Sequence, residues 1–498
     1  MSIQVYNTLT RRKSPLETEQ PGKVGMYLCG PTVYKPSHIG HAVGPVIFDA
    51  IKRYLVHRGY DVNWVVNITD VDDKLIVEAG KQGVTTFQLA ERITKDYLAA
   101  MAELHVDTID IMPKASEHMG EIIEIIETLI EKDYAYESAG DVYFDVRKDD
   151  DYGKLSNRNL DEQEGHRELQ SGEKRNPGDF ALWKAAKADE PDEVKFSSPW
   201  GDGRPGWHIE CSAMAGRYLG KTFDIHGGGM DLVFPHHENE VAQSESAYGQ
   251  TFARYWMHHG LTRVNTKKIS KSDASPEMQA ALTKMTLHNL LDAYPGELIR
   301  YFILNTHYRS PIEYSEAEIE SRRKGLVQFY RLFERVERAT GASPYEGVAP
   351  LDARPEIADG ELRSHCDGQQ AAFEQAMDDD FNTGTAIASM FEFAAGVNRF
   401  VEQNGLDDGG TDVQKQDLLN ATRHLVATAR LIGLFIDPPA KSGGDNELTD
   451  KVMRVLIEVR AHLRGKKDFE TADLIRDRLA ENKIVLEDRG GETNWRVD

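Results

Sequence analysis

Residues 24–29 read Val-Gly-Met-Tyr-Leu-Cys, and Gly30-Pro31-Thr32 follow at once. A short apolar run closed by Gly-Pro predicts a strand that delivers Cys29 to a turn. Nine residues after Cys29 stands His38-Ile39-Gly40-His41, which opens a helical pattern through Val46, Ile47, Ile51, Tyr54 and Leu55 to Gly59. Residues 64–69 (WVVNIT) predict a second strand. Strand, helix and strand of this length make a βαβ unit, hence a parallel sheet with ligands at the carboxyl ends of its strands.

Outward from that unit, residues 117–136 predict an amphipathic helix, and 137–205 are polar and rich in Gly, Lys and Asp, as expected of an insertion on the sheet's edge. Strand signals return at 222–226 (TFDIH) and near 255–258, so a doubly wound sheet is interrupted and resumed. From about residue 275 the pattern is helical, with Pro/Gly-rich breaks at 341–360 and 403–411. Lys441-Ser442-Gly443-Gly444 reads as a linker before a final segment of mixed character.

Two motifs suit a nucleotide. His38-Ile39-Gly40-His41 falls where a turn feeds a helix, and a helix start offers unpaired N–H groups and the positive end of the dipole. Two imidazoles one turn apart add donors, and Gly40 lets a nucleotide approach the backbone. Lys268-Ile269-Ser270-Lys271-Ser272 puts two lysines in a Ser-rich loop, able to neutralise charge that builds on a pentavalent α-phosphate. Either motif alone has a bland reading, as a helix cap or an exposed basic loop; together in one sheet they are specific.

A third group suits a soft metal. On a helix, His236 and Glu240 of His236-His237-Glu238-Asn239-Glu240 share a face at i,i+4. Cys29 and Cys211 complete a two-thiol, imidazole and carboxylate set that fits Zn2+ and disfavours Mg2+ or Ca2+. A lone cysteine is usually core and an exposed histidine usually solvated, so the motif context carries the reading. By spacing alone, His237 serves as well as His236.

Composition sets bounds. At 498 residues the chain is too long for one core and divides into several domains. No apolar run is long enough to span a bilayer, and the opening residues lack a signal-peptide core, so a cytoplasmic protein that does not enter membranes is expected. Three cysteines, an odd and sparse count, argue for reduced thiols. Lys+Arg 59 against Asp+Glu 82 gives a net charge of −23, the wrong overall sign for a nucleic-acid binder. Either nucleic acid is not a partner, or the basic residues are concentrated on one face, or the acidity is halophilic adaptation. At 1 M salt charges are screened within about 3 Å, and that third reading is favoured.

Taken together, these motifs resemble the cysteinyl-tRNA synthetase family of class I aminoacyl-tRNA synthetases, essentially end to end. The further stretches are Asn67-Ile68-Thr69-Asp70, Gly206-Trp207-His208-Ile209-Glu210-Cys211, Gly227-Gly228-Gly229-Met230-Asp231, His307-Tyr308-Arg309-Ser310-Pro311 and Met377-Asp378-Asp379-Asp380-Phe381-Asn382-Thr383. The resemblance implies an α/β fold, a Rossmann-type doubly wound parallel sheet with an inserted connective domain, then a helical bundle and a small C-terminal domain. The expected boundaries are 1–120 and 206–260 for the two halves of the catalytic domain, with the insertion at 121–205. The loop and stem-contact helices fall at 261–340, a helical tRNA-binding domain at 341–440 and an anticodon-binding domain at 441–498. It implies cysteinyl-adenylate formation from L-cysteine and ATP with Mg2+, then transfer to the 3′ end of tRNA-Cys by a monomer.

Site roles follow from the same resemblance. His38, His41, Lys268 and Lys271 are catalytic; His38, Gly40, His41, Gly228, Asp231 and Lys271 hold ATP, with Asp231 on a ribose hydroxyl. Cys29, Thr69, Trp207 and His236 surround the substrate cysteine. One Zn2+ per chain sits on Cys29, Cys211, His236 and Glu240, with His226 beside it. Zinc accounts for the selectivity: shape alone rejects a near-isostere by about 10²-fold, whereas a thiol of pKa ~8.5 yields its proton to a metal far more readily than a serine hydroxyl. The tail from Lys467-Asp468 to Trp495-Arg496 resembles the anticodon-binding end. Its basic run Arg454, Arg460, Arg464, Lys466 and Lys467 can contact phosphates, and Trp495 can stack on a base. Three positions depart from the family: Val43 in place of an arginine, Ile269 in place of a methionine, and the segment 273–285 in place of Leu-Gly-Asn. A tRNA-independent ligase joining cysteine to an amino sugar would share the zinc and ATP motifs but need no such tail.

Overall fold

The computed structural model describes residues 2–158, 174–264, 267–268, 283–439, 446–482, 484–489 and 492–497. The chain forms two compact units, Met1–Ile436 and Asp437–Asp498. An antiparallel hairpin, β1 (Gln4–Asn7) and β2 (Arg12–Pro15), opens the first. β3 (Lys23–Leu28), α1 (Ile39–His57) and β4 (Asp61–Val66) follow as the expected βαβ unit. α1 starts where it does because His38 is extended, at φ −113° and ψ 170°, and caps it. It stops before Gly59, whose φ of +87° suits glycine alone. β4 begins at Asp61 and ends at Val66, earlier than the apolar run 64–69 suggests. Beyond Val66 the backbone has other partners: Asn67 Oδ1 accepts from the Gly30 N–H at 2.9 Å, and the Thr69 N–H donates to the Pro31 carbonyl at 3.2 Å.

Helices α2 (Asp73–Gln82), α3 (Thr86–Glu103) and α4 (Met119–Glu131) then lead to a separate antiparallel sheet. Its strands are β5 (Ala135–Ser138), β6 (Asp141–Phe144), β7 (Phe180–Ala185) and β8 (Gly203–Pro205), in that spatial order. Ile122, Ile126 and Leu129 of α4 pack on Val142, Phe144, Leu182 and Trp183. The stretch that reads as polar therefore builds an apolar core, shared with Ile209, Ala213, Ala242 and Ala247, which its surface residues hide from a sequence average.

α5 (Trp207–Leu219), β9 (Phe223–Gly229), α6 (Glu238–Tyr248) and β10 (Ala253–His259) resume the main sheet. Its order is β10-β9-β3-β4, parallel throughout. Successive residues point to opposite faces. Met26, Leu28, Trp64, Val66 and Ile225 pack with Val46 and Phe48 of α1, whereas Tyr27, Val65 and Trp256 pack with Cys211 and Met214 of α5. Both faces are covered, as parallel sheets require. Strand order reverses between β3 and β9, so Cys29 and the end of β9 flank the crevice where such sheets take ligands.

β11 (Thr262–Val264) pairs antiparallel with β12 (Lys267–Lys268) and parallel with β13 (Ile312–Tyr314). The remainder of this unit is helical, chiefly Gly296–Leu304, Glu316–Thr340, Gly360–Asp378, Thr383–Gln403 and Asp412–Arg430. Buried Arg300 ties the bundle to α1: its guanidinium donates to Asp49 at 2.5 Å and to the carbonyls of Leu104 and Ile432. The second unit contains helices Asn446–Gly465 and Phe469–Glu481 and the hairpin β14 (Ile484–Arg489) and β15 (Glu492–Val497). The expected linker at 441–444 lies outside the described residues. Among the described residues, no helix is long and apolar enough to cross a membrane.

Candidate active site and metal centre

The histidine pair is built locally. His38 Nδ1 accepts from the Gly40 N–H and His41 Nδ1 accepts from the His38 N–H, each at 3.1 Å. A ring nitrogen that accepts carries no hydrogen, so both neutral rings bear theirs on Nε2. The cap and ligand readings are thus compatible, because capping through Nδ1 fixes Nε2–H as the donor. Gly40 is required by the cap as well, since a Cβ there would lie 2.8 Å from His38 Cε1.

Both rings line a cavity of about 360 Å3 at the sheet's switch point, together with Cys29, Gly40, Trp207, Gly228, Asp231 and residues 259–262. The glycines that end β9 were expected to admit a nucleotide. The structure adds a nearer reason: Cβ atoms on Gly227, Gly228 and Gly229 would lie 2.0 Å from Phe48, 2.6 Å from His237 and 2.5 Å from Asp231. Val43, where an arginine is more usual, is fully buried in the core of α1. Lys268 ends β12, but its side chain and all of Lys271 lie outside the described residues, as do Ile269 and most of 273–285.

Next to the cavity, four elements converge on a donor cluster that shares only Cys29 with it. Cys29 follows β3, Cys211 lies on α5, His236 lies in the turn Val233–His237, and Glu240 lies on α6. One donor atom from each falls within 4.8 Å of all the others. The two sulfurs are 3.8 Å apart, His236 Nε2 is 3.5 Å from Cys211 Sγ, and His236 is 3.1 Å from Glu240. A second set, Cys29, His226, His237 and Glu240, meets the same distance test, so geometry alone leaves both histidines in play.

The surroundings hold these donors in place. His226 Nε2 lies 2.8 Å from Glu240 Oε2, and His208 Nδ1 lies 2.8 Å from His236 Nδ1. His237 reaches Cys29 Sγ at 3.3 Å through Nε2 and His258 at 2.7 Å through Nδ1. Trp207 stacks on His236 with ring centroids 4.2 Å apart. Thr69 is buried beneath the site, its hydroxyl donating to Glu210 at 3.0 Å. Burial pushes the Cys29 thiol well up and Glu240 to about 7, and it pushes His226, His236 and His237 down. A hydrogen bond from Cys29 favours the Cys211 thiolate, but burial prevails and raises that thiol too. Neutral imidazoles and thiols crowded out of water are what a soft cation stabilises by taking the thiolate forms.

His208, Glu210 and His258 join the site without having been singled out. His208 lies one helical turn before Cys211, a spacing that could have flagged it; nothing in the sequence marks His258, because register alone brings β10 beside β9.

A switch-point sheet with a histidine pair opening its first helix and a glycine-rich strand end defines the catalytic domain of a class I aminoacyl-tRNA synthetase. Residues 15–324 match the model for the tRNA synthetases class I (C) catalytic domain, 372–436 a DALR domain, and 445–496 a cysteinyl-tRNA ligase anticodon binding domain. Over 502 residues the chain is 44% identical to the cysteine–tRNA ligase of Heliobacterium modesticaldum, covering 100% of both chains. It is 43% identical to that of Thermococcus gammatolerans over 500 residues, 100% of this chain and 99% of the relative. Mycobacterium tuberculosis methionyl-tRNA synthetase, solved with methionyl-adenylate, shares the fold at a TM-score of 0.58 and 15% identity, over 87% of this chain and 94% of that one. The chain belongs to the cysteine–tRNA ligase family.

Proposed function

We propose that the chain activates L-cysteine with Mg·ATP and transfers the cysteinyl group to the terminal ribose of tRNA-Cys. The observation that carries this is the position of Cys29, which belongs to the four-donor cluster and also lines the cavity that holds His38 and His41. A cysteine whose sulfur faces the cluster would direct its carboxylate toward the nucleotide end.

In the first step the carboxylate oxygen attacks the α-phosphorus and the bond to pyrophosphate breaks. The histidine pair presents Nε2–H donors to the phosphates, and Lys268 and Lys271 offset charge on the departing pyrophosphate. Asp231 takes a ribose hydroxyl, while the backbone at Gly228 forms part of the wall. In the second step the tRNA ribose hydroxyl attacks the carbonyl carbon and AMP leaves. No side-chain nucleophile is needed, because positioning and charge stabilisation supply the rate.

Two thiols, an imidazole and a carboxylate in a closed group fit Zn2+. Of the two geometric sets, Cys29, Cys211, His236 and Glu240 is preferred, since it has both thiols and its histidine stacks under cavity-lining Trp207. A zinc ion there would supply affinity for a thiolate that serine cannot match. His226 then orients Glu240, and His237 with His258 supports Cys29 from behind. The match of 445–496 to an anticodon-binding domain speaks against a tRNA-independent ligase. The enzyme works as a monomer in the cytoplasm, and its acidity reflects salt adaptation; sedimentation tests the monomer and exchange rates across a salt series test the adaptation.

The decisive measurement is cysteine-dependent ATP–pyrophosphate exchange with and without tRNA, run on the full chain and on a chain ending near residue 439. Both should exchange, and only the full chain should charge tRNA-Cys well. Equal charging by the two would remove the role given to the second unit.

A further inference from the structure

Asp380 occupies the corner between helices Gly360–Asp378 and Thr383–Gln403, in a motif that the chemistry above does not use. It is fully buried, and its φ of +65° is followed by +50° at Phe381. Consecutive non-glycine residues in the left-handed region persist only where the surroundings hold them. A buried carboxylate likewise needs a full set of partners.

Those partners come from two distant segments. Oδ1 accepts from the Tyr6 N–H at 2.8 Å and from the Tyr308 hydroxyl at 2.9 Å. Oδ2 accepts from Arg309 Nε at 2.9 Å and has His307 Nε2 at 3.5 Å. Three consecutive side chains of one loop therefore converge on a single carboxylate.

That loop supports the cavity wall. The Tyr308 carbonyl accepts from the Gly260 N–H at 2.8 Å, and the Ile312 N–H donates to the Leu261 carbonyl at 3.0 Å. The approach is so close that a Cβ on Gly260 would lie 2.1 Å from the Ser310 oxygen. Gly260, Leu261 and Thr262 line the cavity beside His38 and Gly40. β1, the other segment bound by Asp380, has anchors of its own, in its pairing with β2 and in the bond from the Thr8 N–H to the Trp256 carbonyl at 2.9 Å.

We infer that Asp380 is a positioning residue for the nucleotide: it fixes the loop 307–311 and, through it, the wall at 260–262 against which ATP is held. The inference rests on assigning that cavity to ATP, and it predicts a response at the nucleotide end without one at the cysteine end.

Calorimetry on the full-length, metal-loaded chain tests it, with ATP and cysteine titrated separately. Asp380→Asn should weaken ATP by roughly tenfold, the scale of losing hydrogen bonds to a charged group, and leave cysteine affinity within about twofold. Tyr308→Phe, which deletes one hydroxyl, should shift ATP in the same direction by about threefold. Asp379→Asn, a change at the exposed neighbour paired with Lys13, should shift neither. Unchanged ATP affinity in Asp380→Asn, or ATP and cysteine affinities falling together, would overturn the inference and leave Asp380 a structural anchor. If Asp380→Asn does not fold, Tyr308→Phe decides by the same criteria. A wild-type chain that binds ATP but shows no cysteine-dependent exchange defeats the proposed activity alone, and the binding comparison stands; a chain that does not bind ATP defeats both.

Discussion

Four consecutive residues, His38 to His41, set the donor pair that lines the cavity; the thiol-rich cluster needs a strand end, two helices and a turn to meet before it exists. His38 and His41 cap their own helix through bonds within the tetrapeptide, so α1 needs only to form for the donors to point correctly. Cys29, Cys211, His236 and Glu240 are brought together by the sheet and then held by His208, His226, His237 and His258. The aim of the two histidine donors depends on their own few atoms, although the wall at 260–262 beside them comes from distant segments. The thiol-rich cluster is a tertiary assembly whose buried polar groups raise the cost of any defect.

The contrast breaks most visibly at Cys211. Cys211→Ser should lose bound zinc and cysteine-dependent exchange together while circular dichroism and solubility are retained. If metal analysis shows zinc gone and the preference for cysteine over serine remains above the ~10²-fold that shape supplies, selection does not act through the metal. At the nucleotide end, Lys271→Ala should lower the exchange rate by roughly 10²-fold, the scale of one preorganised donor, with little change in KM for ATP. A raised KM at constant kcat would instead make it a ground-state contact.

His226→Gln disturbs a partner of Glu240 and none of the four preferred donors, so zinc affinity measured by chelator competition should fall by about 10–100-fold. Exchange at saturating zinc should stay near the wild-type rate. A loss of exchange that excess zinc does not restore would move His226 into the donor set and favour the alternative group with His237.

The smallest expected effect concerns the second unit, whose basic run the structure divides. Arg460 is 3% exposed and its guanidinium takes both oxygens of Asp488, at 3.0 and 2.9 Å, with Arg464 on the same carboxylate at 3.1 Å. Arg460 thus holds the hairpin to the helix with its guanidinium buried and engaged, whereas Arg464 keeps half of its side chain exposed. Arg460→Ala should therefore destabilise the unit but leave the salt dependence of tRNA binding unchanged, whereas Lys466→Ala should reduce the slope of log affinity against log salt by about one. Equal slopes in the two variants would erase the distinction.

Much of the site was legible from the chain because its chemistry is written in short motifs. Strand-turn-helix at 24–57, glycines ending β9 and two thiols beside a histidine-acid run need only local periodicity and donor chemistry to be read. The sequence also contained His226, His237 and His208, yet it could not rank His236 against His237, since a turn of irregular geometry separates them from the helical spacing assumed. The core of the insertion, the roles of Arg460 and Arg464, and the reason for the glycines at 227–229 were hidden for one cause: each depends on what lies opposite in space.

Residue pattern alone suffices for the parallel α/β class, for a histidine pair opening the first helix, and for a pool of two thiols, neighbouring imidazoles and a carboxylate, because periodicity, capping and donor chemistry act over a few residues. It takes the folded chain to show that Cys29 belongs to the donor cluster and also lines the cavity, that His258 stands behind His237, and that Asp380 reaches the cavity wall through the loop 307–311. These depend on strand order and close packing, and a buried polar group takes its partners from whichever distant segment the fold delivers within hydrogen-bond reach.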